Sequence, residues 1–415
     1  MIRVRQVKVP ILESDKLLSK IASKIRVDKS FILDFNIIKR SIDARDKSNI
    51  LYVYEVDVSL ANEDKVLKKN KSVDILKSPS LEYKYNITGK DKLLSRPIVV
   101  GSGPSGLFCA YFLAETGFRP IVLERGEKVE DRVLSVEKFF NSNKLNTSSN
   151  VQFGEGGAGT FSDGKLNTLV KDKFNRGRKV FEIFVENGAP SEIMYDAHPH
   201  IGTDILRNVI KNIREKIISM GGEFRYNSCV TDIYISNDSI TGVQVNNSYD
   251  ISTDIVVLAI GHSARDTFHL LYDKGISMRP KNFAVGVRIE HPRSMIDWNQ
   301  YGKFSKVLGA ASYKLTHTTS SGRGVYSFCM CPGGFVVNAS SEEGRLVVNG
   351  MSNYKRDEKN SNSALVVTVG PKDFGDNPMD GIEFQRKLEE KAYIAGKGFI
   401  PVQLYKDFCL GKVST

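Results

Sequence analysis

Apolar residues follow two different periods in the first ninety residues of the chain. The segment "IRVRQVKV" alternates apolar and polar positions as a strand does, and "NILYVYEVDVSL" is a β-rich run with partial alternation. Between them, "SDKLLSKIASKI" repeats its apolar residues at helical spacing after Ser14 and Asp15. We therefore predict a small α+β domain over residues 1–90. Residues 61–95 are polar and lysine-rich, and we predict a linker with one short element there.

A charged stretch inside this domain, "IIKRSIDARDK", surrounds Asp43 with four basic residues, Lys39, Arg40, Arg45 and Lys47. It predicts either an exposed charged helix end or a contact surface. Residues 1–96 hold 21 lysines and arginines against 13 acidic residues, and the whole chain carries a net charge of +11. This basic character indicates either a solvated surface or one that binds nucleic acid or another polyanion, although no nucleic-acid motif accompanies it.

The pattern changes at Arg96. "PIVV" is a short apolar strand, "GLFCAYFLAETG" runs as a helix that closes at Gly117, and "RPIVLE" is the next strand, which ends in Glu124. The glycine cluster "GSGPSG" joins the first strand to the helix. A G-x-G-x-x-G sequence between a strand and a helix is the fingerprint of a dinucleotide-binding Rossmann domain. Glu124 stands where a carboxylate accepts hydrogen bonds from a ribose 2′-OH, and an acid there disfavours a 2′-phosphate.

Each residue of this first glycine cluster has a physical role. Gly101 permits the tight turn out of the strand, Gly103 lets the backbone approach a pyrophosphate, and Gly106 lets the helix pack closely on the sheet. Pro104 and Ser105 lie at the helix N-terminus, where N–H groups and the positive end of the helix dipole face the phosphates.

A second glycine cluster, "GEGGAG", occupies residues 154–159. It also contains a literal G-x-G-x-x-G, but polar "NKLNTSSN" stands upstream, only "VQF" is strand-like, and the residues that follow favour a turn. We therefore predict that it is not a second dinucleotide fingerprint. Its glycines, among them Gly156, Gly157 and Gly159, suit a backbone wrapped close to a large flat ligand, and we predict a loop beside an isoalloxazine ring.

The composition is that of an ordinary globular protein, with 415 residues, 41% of them hydrophobic and 26% charged. We find no secretory signal and no apolar run that predicts a membrane span, so we expect a cytoplasmic protein. The five cysteines include no C-x-x-C pair and predict neither a zinc site nor a disulfide framework. Cys329 and Cys331 would face the same side of a strand; we favour packing for them, with redox chemistry as the alternative.

Several motifs resemble a known family, the bacterial FAD-dependent dehydrogenase-like proteins. The matching segments are "VVGSGPSGLFCAYFLAETG", "ERG", "GEGGAGTFSDGKL", "HPHIGTDIL", "LAIGHSARD", "CMCPGG" and "VVNGMSNYKRDEKNSNSALVV". The resemblance covers nearly the whole chain. It implies an α/β flavoprotein with a Rossmann-like, three-layer ββα FAD-binding domain of the glutathione-reductase type, a β-rich substrate or cap domain, and the small N-terminal α+β domain. We expect the domain boundaries at residues 1–90, 96–270 and 271–415.

The resemblance also favours FAD over NAD as the tightly held cofactor and implies further contacts. "LAIG" resembles the segment that closes the FAD domain, which adds Gly261, and in such proteins the residue in the position of Val230 meets the adenine through its backbone. Arg125 and Arg132, in and after "ERG", are expected to contact the cofactor. Proteins of this fold return late in the chain to the FAD domain. We expect that segment beyond the last residue here, because Pro401 would interrupt a helix after "IAGKGFIP".

The candidate catalytic residues are Lys165 and His200. Lys165 follows the second glycine cluster, where a cation would stabilise an anionic reduced flavin; a solvated lysine is the alternative. The resemblance implies that His200 lies near the flavin. Because no third and fourth ligand accompany His198 and His200, we predict no metal site. His262 and Arg265 follow "LAIG" and would orient phosphate or substrate, or serve capping and surface roles.

The sequence thus predicts a cytoplasmic FAD-dependent oxidoreductase that transfers hydride or electrons to or from a small-molecule substrate it does not name. Because no second true fingerprint is present, an NAD(P)H that reduces the flavin is expected to dock transiently. The alternative is an FAD-binding regulatory module whose basic residues 1–90 bind nucleic acid or a protein. No membrane association is expected, and the oligomeric state is left open.

Overall fold

The N-terminal part of the chain folds as an antiparallel sheet covered by a helix. A computed structural model describes residues 1–85, 87–89, 92–166 and 170–414. The elements of the N-terminal part are β1 Ile2–Pro10, α1 Leu17–Ile25, β2 Ile32–Asp43, β3 Leu51–Leu60, α2 Glu63–Lys69 and β4 Ile75–Lys77. The strand order is β2-β3-β1-β4. Alternate strand residues such as Val4 and Val56 share one buried core with Ile21 of α1, because one face of the sheet and one face of the helix are apolar.

Two expectations for this part change. "IIKRSIDARDK" forms no helix end, because its residues up to Asp43 belong to β2, an edge strand on which charged side chains are common. It is a contact surface, since Arg40 donates hydrogen bonds of 2.7 and 2.9 Å to Asp196 and its backbone bonds to those of Tyr195 and Ala197. The predicted linker contains two elements rather than one, α2 and β4, and β4 pairs with β1.

The middle of the chain forms three layers. Its elements are β5 Ile98–Val100, α3 Pro104–Glu115, β6 Ile121–Leu123, α4 Val129–Ser142, α5 Arg176–Glu186, α6 Thr203–Ser219, β7 Glu223–Arg225, β8 Val230–Ser236, β9 Ser239–Val245, β10 Tyr249–Ser252, β11 Val256–Leu258 and α7 Arg265–Asp273. Strands β11, β5, β6 and β7 form a parallel sheet in that order, and β10, β9 and β8 form an antiparallel sheet.

Strands β5 and β6 are apolar throughout because both of their faces are covered. Val99 and Val122 share a core with residues of α3 and α6. Their neighbours Ile98, Val100 and Leu123 point the other way and share a core with β8 and β9. Helices, parallel sheet and antiparallel sheet therefore stack as the sequence predicts, and the Rossmann-like α/β fold is confirmed.

The C-terminal part is β-rich. Its elements are β12 Phe283–Pro292, α8 Arg293–Tyr301, α9 Ser305–Leu308, β13 Thr316–Thr318, β14 Gly324–Cys331, β15 Phe335–Asn338, β16 Val348–Met351, β17 Asn360–Val369, α10 Pro371–Phe374, α11 Asp380–Ala395 and α12 Tyr405–Cys409. One sheet has the order β12-β17-β14-β13, and β15 pairs with β16. The register of β14 on β17 shifts between Phe328 and Cys331. Within the described residues, no helix has both the length and the apolar content that crossing a bilayer requires.

Candidate functional site

A cavity of about 520 Å³ opens at the carboxyl ends of β5, β6 and β11. Open parallel sheets bind ligands at this edge, and the volume lies in the usual range for ligand pockets. Of the thirteen residues predicted to contact a cofactor, ten line this cavity: Gly101, Gly103, Pro104, Ser105, Glu124, Arg125, Gly157, Gly159, Val230 and Gly261.

The first glycine cluster forms the predicted turn. Gly101 has a φ of +98°, and a Cβ there would lie 2.5 Å from the carbonyl oxygen of Ala259. A Cβ on Gly106 would lie 1.9 Å from the oxygen of Gly101, so only glycine lets α3 pack this closely on the turn. No side chain caps the start of α3. The amides of its first turn are therefore open to an anion.

The second glycine cluster lies directly against the first. The amide of Gly156 donates to the carbonyl of Ser102 at 2.9 Å, and a Cβ on Gly157 would lie 3.0 Å from the Cα of Gly103. The cluster runs into a short 3₁₀ helix, Gly157–Phe161, and "VQF" before it is bent rather than extended as a strand. This geometry agrees with the prediction that the cluster is not a second dinucleotide turn. The two clusters form adjoining walls of one cavity.

Glu124 connects the two clusters. Its Oε2 accepts hydrogen bonds from the amide and the hydroxyl of Ser102, both at 2.8 Å, and its Oε1 accepts from the amides of Gly126 at 2.9 Å and Gly154 at 3.1 Å. The residue is only 5% exposed. This bridging role is not predicted from the sequence. A ribose hydroxyl at this position would have to share oxygens that four protein donors already use.

Arg132, predicted to contact the cofactor, lies behind the cavity wall instead. Gly106 and Gly156 also lie outside the lining. Arg132 is fully buried, and its guanidinium lies 4.8 Å from the ring centre of Phe161. It donates hydrogen bonds of 2.6 to 3.2 Å to five main-chain carbonyls, those of Asn150, Val151, Gly154, Glu155 and Gly157. Four of these residues lie outside helices and strands and Gly157 begins the 3₁₀ helix, so Arg132 satisfies carbonyls that regular structure would otherwise satisfy. It positions the second cluster.

Glu155, which the sequence analysis did not select, holds the same loop by its side chain. Its Oε2 accepts from the amide of Val129 and from Arg214, both at 2.7 Å, and its Oε1 accepts from the hydroxyl of Tyr226 at 2.7 Å. Burial raises the pKa of Glu155, and the charge of Arg214 opposes that rise. Arg214 also donates to Glu130 at 2.6 and 3.0 Å. A glutamate between two glycines carries no sequence signal that it is buried.

Arg125 lies in the cavity wall beside the second cluster. Its guanidinium carbon is 4.5 Å from the ring centre of Phe153, and it donates to Asp266 at 2.9 and 3.0 Å. Val230 is the first residue of β8, and Gly261 has a φ of +72°. Both also line the cavity, as predicted for residues that contact the cofactor.

Lys165, a predicted catalytic residue, lies outside the cavity wall and against the C-terminal β-rich part. Its ammonium nitrogen is 3.4 Å from the carboxylate of Asp163 and 3.8 Å from the sulfur of Cys331, and it donates to the carbonyl of Met330. Its backbone forms an isolated antiparallel bridge with that of His200, the second predicted catalytic residue.

His200 is likewise absent from the lining of the cavity. Its Nε2 is 2.9 Å from the carbonyl oxygen of Tyr354, and its ring stacks on that of Tyr354 with centres 5.3 Å apart. Burial lowers the pKa of His200, and the nearby charge of Arg356 lowers it further. The structure thus brings Lys165 and His200 together, but at the junction with the β-rich part.

His262 follows the "LAIG" strand directly into the cavity wall. Its Nδ1 lies 3.0 Å from the hydroxyl of Ser263, which in turn donates to the side chain of Gln152. Reduced solvation lowers the pKa of His262, and Arg265 lowers it further. Arg265 itself joins the middle part to the C-terminal part, where it pairs with two acids, Glu342 and Glu389. The position of His262 just past a parallel strand is the sequence signal for it.

Three family descriptions match parts of this chain. Residues 282–415 match "FAD-dependent protein, C-terminal domain-like", residues 99–145 match "NAD(P)-binding Rossmann-like domain", and residues 1–59 match a domain of unknown function. The Rossmann match contains the first glycine cluster and Glu124, and therefore falls on one wall of the cavity.

A protein of Clostridium beijerinckii, described as uncharacterized, is 47% identical over 421 residues, and the alignment covers 100% of this chain and 78% of that protein. THI4 of Thermovibrio ammonificans is 18% identical with a TM-score of 0.30 and covers 44% of this chain and 63% of its own. A halogenase PltM variant in complex with FAD is 13% identical with a TM-score of 0.33 and covers 73% and 56%. L-proline dehydrogenase from P. horikoshii is 16% identical with a TM-score of 0.26 and covers 48% and 61%. This chain thus spans less than two thirds of the length of these solved structures.

Proposed function

This chain belongs to a family of FAD-dependent oxidoreductase-like proteins, and we propose that it binds FAD in the cavity and acts as an oxidoreductase on a small-molecule substrate. One observation carries this proposal. The fingerprint turn and the second glycine cluster line a single cavity at the N-terminus of α3, which no side chain caps. A helix start of this kind attracts phosphate through its free amides and its dipole.

The cavity fits the phosphate part of FAD. The amide of Ser105, in the first turn of α3 and in the lining of the cavity, would hold the pyrophosphate. Gly103 leaves room for it, because a Cβ there would meet only the Cα of Gly157, at the ordinary contact distance of 3.8 Å. A side chain at Gly103 would therefore occupy cavity space without disturbing the fold.

The remaining lining residues take the other parts of the cofactor in this proposal. Glu124 would hold the ribose and Val230 would lie near the adenine, as the family resemblance implies. Gly157 and Gly159 would contact the flavin ring, because both line the cavity and neither has a side chain that would keep a flat ligand away from the backbone. An NAD(P)H that reduces the flavin would dock transiently.

Bound FAD would supply the two-electron redox chemistry. The residues of this chain would position the cofactor and hold or release a proton beside it. Arg132 and Glu155 fix the loop that forms one wall. His262 has its Nδ1 engaged by Ser263, so Nε2 is the atom that would hold or release a proton in the cavity. Lys165 and His200 remain predicted residues of the flavin surroundings, and their described contacts are with the β-rich part.

Substitution Gly103→Ala tests the proposal. We expect the apo form of this variant to bind FAD about tenfold more weakly than wild type, or worse, because the added methyl group occupies the pyrophosphate position. Quenching of FAD fluorescence during titration measures the dissociation constant, and circular dichroism checks the fold.

Gly324→Ala, on β14, is the matched control, because a Cβ there meets only the side chain of Thr368 at 3.6 Å. It should bind FAD as wild type does. Equal affinities for wild type and Gly103→Ala would place the FAD site elsewhere, and a wild-type protein that does not bind FAD would refute the proposal.

A further inference from the structure

Two cysteines stand where strand β14 departs from regular geometry. Cys329 has a φ of +48°, an uncommon conformation for a residue with a side chain. The register of β14 on β17 shifts between Phe328 and Cys331, so Cys329 lies in a bulge. The sulfur of Cys331 lies 3.4 Å from the carbonyl oxygen of Cys329. Bulges and left-handed non-glycine residues concentrate at functional sites, which makes this segment a candidate.

Two cations converge on this bulge from different parts of the chain. The ammonium nitrogen of Lys165 lies 3.8 Å from the sulfur of Cys331. The Nη2 atom of Arg288, on β12, lies 3.7 Å from the same sulfur and donates to the carbonyl oxygen of Cys329 at 2.7 Å. Cations this close to the pair stabilise a thiolate in it. The sulfur of Cys331 donates to the carbonyl oxygen of Cys329 and so holds its proton, which leaves Cys329 as the residue that loses one.

The cations outnumber the acids around the cysteines. Asp163 pairs with Lys165 at 3.4 Å and also with Arg356. Arg288 has no carboxylate within ion-pair distance among the described residues, and its other donors meet the amide oxygens of Asn362 at 2.9 Å and Asn349 at 3.5 Å. A thiolate would supply the negative charge that this partly buried guanidinium otherwise lacks in that part of the chain.

A buried amide next to the pair is also incompletely bonded. Asn362, which faces Cys331 in the strand ladder, is fully buried, and its Nδ2 has no hydrogen-bond partner among the residues that the structure describes. This donor is available to a further partner beside the two sulfurs.

We propose that Cys329 and Cys331 form a redox-active thiol pair that a small hydroperoxide such as hydrogen peroxide oxidises reversibly to a disulfide. Cys329 is the attacking residue, because it is partly exposed whereas Cys331 is buried. Cys331 is the resolving residue. Nothing in this proposal requires the cavity or FAD, so the two proposals stand or fall separately.

The reaction has two steps. The thiolate of Cys329 attacks one peroxide oxygen, the O–O bond breaks, an S–O bond forms, and hydroxide leaves and takes up a proton as water. The sulfur of Cys331 then attacks the sulfenic acid, an S–S bond forms, and the hydroxyl leaves with the thiol proton as a second water. The pair loses two electrons and two protons, and the peroxide is reduced to two waters.

The charges around the pair support this order of events. A hydrogen bond from the thiol of Cys331 lowers the pKa of Cys329 to about 6, with Lys165 and Arg288 lowering it further, while burial and Asp163 oppose the shift. The same hydrogen bond raises the pKa of Cys331, which therefore keeps its proton until the second step. Cys329 therefore has a larger thiolate fraction than an ordinary thiol at the same pH.

The first test uses the wild-type chain and needs no variant. Trypsin releases one peptide, residues 324–345, that contains both cysteines. We expect iodoacetamide at pH 6 to alkylate Cys329 at least about tenfold faster than Cys409, an exposed thiol that serves as the internal control. Hydrogen peroxide should remove two hydrogen masses from the peptide, and dithiothreitol should restore them. Mass spectrometry reads both results.

Substitutions then separate the two roles. Cys331→Ser should accumulate a sulfenic acid that dimedone labels, and Cys329→Ser should give neither label nor disulfide. Arg288→Met should slow alkylation of Cys329 at pH 6 by about fivefold, and Arg288→Lys should restore most of the rate, because raising the pKa by one unit from about 6 lowers the thiolate fraction at pH 6 about fivefold. Alkylation of wild-type Cys329 no faster than that of Cys409, or a peptide that peroxide leaves reduced while Cys409 is oxidised, would overturn the proposal.

Discussion

The two glycine clusters border one cavity, but different interactions hold them. The first lies between β5 and α3 and shares in regular backbone pairing: the amide of Gly101 donates to Leu123 at 2.8 Å, and the carbonyl of Gly103 accepts from Leu107 at 2.9 Å. The second has isolated backbone hydrogen bonds, such as that from Gly156 to Ser102 at 2.9 Å, but no strand or α-helix pairing, and it also depends on the buried side chains of Arg132 and Glu155. The same glycine spacing is therefore stabilised by secondary structure in one place and by buried charge in the other.

This difference predicts where each cluster is vulnerable. A backbone turn between a strand and a helix is disrupted when a side chain is added at a position without room for it, such as Gly106. A loop held by a buried cation fails when that cation is removed, because its carbonyls then lose their donors without gaining water. Substitutions at the first cluster should thus act by adding volume, and substitutions at Arg132 beside the second cluster should act by removing a charge.

The largest effect should come from Arg132→Met. This substitution leaves five carbonyl oxygens without their donor in a buried place, and we expect a loss of about 3 kcal/mol or more in the free energy of unfolding. Urea denaturation followed by circular dichroism measures it. The control is Arg45→Met, whose side chain is 84% exposed and should contribute less than about 1 kcal/mol. Similar losses for the two variants would show that the second cluster does not depend on Arg132.

Gly106→Ala should have the next largest effect, at the first cluster. The new Cβ would lie 1.9 Å from the oxygen of Gly101, so α3 must move, at a cost of about 1–3 kcal/mol. Thermal unfolding gives the change. Gly159→Ala, in the second cluster, meets nothing within 4 Å and should leave the melting temperature unchanged. If Gly159→Ala destabilises the chain as much as Gly106→Ala does, the space around the added Cβ does not decide the loss at these two positions.

The smallest effect should be the pH dependence contributed by the ion pair of Glu130, on α4, with Arg214, which also pairs with Glu155 of the second cluster. A hydrogen bond from Arg214 lowers the pKa of Glu130 to about 2, below its unfolded value of 4.5. The stabilisation is therefore present above about pH 4.5 and is lost as the pH falls towards 2. Because Glu130 is 38% exposed, we expect about 1 kcal/mol at most.

Free energies of unfolding measured between these pH values test this expectation. Glu130→Gln should flatten the acid-side slope, whereas Glu137→Gln, the same change at an exposed position of α4, should leave it as in wild type. A slope that Glu130→Gln does not change would exclude this ion pair as its source.

The sequence predicted the first cluster well because its signals are local. A strand, a glycine turn, a helix and an acid all fall within about thirty residues, and each constrains the next. The same is true of the three layers, because β5 and β6 are short, wholly apolar strands and α6 repeats Leu206, Val209, Ile213 and Ile217 at helical spacing, all of them buried.

The role of Arg132 could not be predicted in this way. Its partners are main-chain carbonyls eighteen or more residues away, and every residue type has a carbonyl, so no sequence pattern marks them. The pairing of Lys165 with Cys331 spans 166 residues and depends on how the β-rich part packs. Strand β2 was missed because an edge strand with basic side chains resembles an exposed helix end.

Because Gly157 lies against Gly103, the order of the second cluster affects how tightly the cavity would bind a cofactor. Four of the 25 lining residues belong to the second cluster and line the cavity only when that cluster is in place, so ligand binding and loop ordering are linked equilibria. Any change that reduces the ordered population by a given factor weakens the apparent affinity by the same factor, even when the altered atom never approaches the ligand.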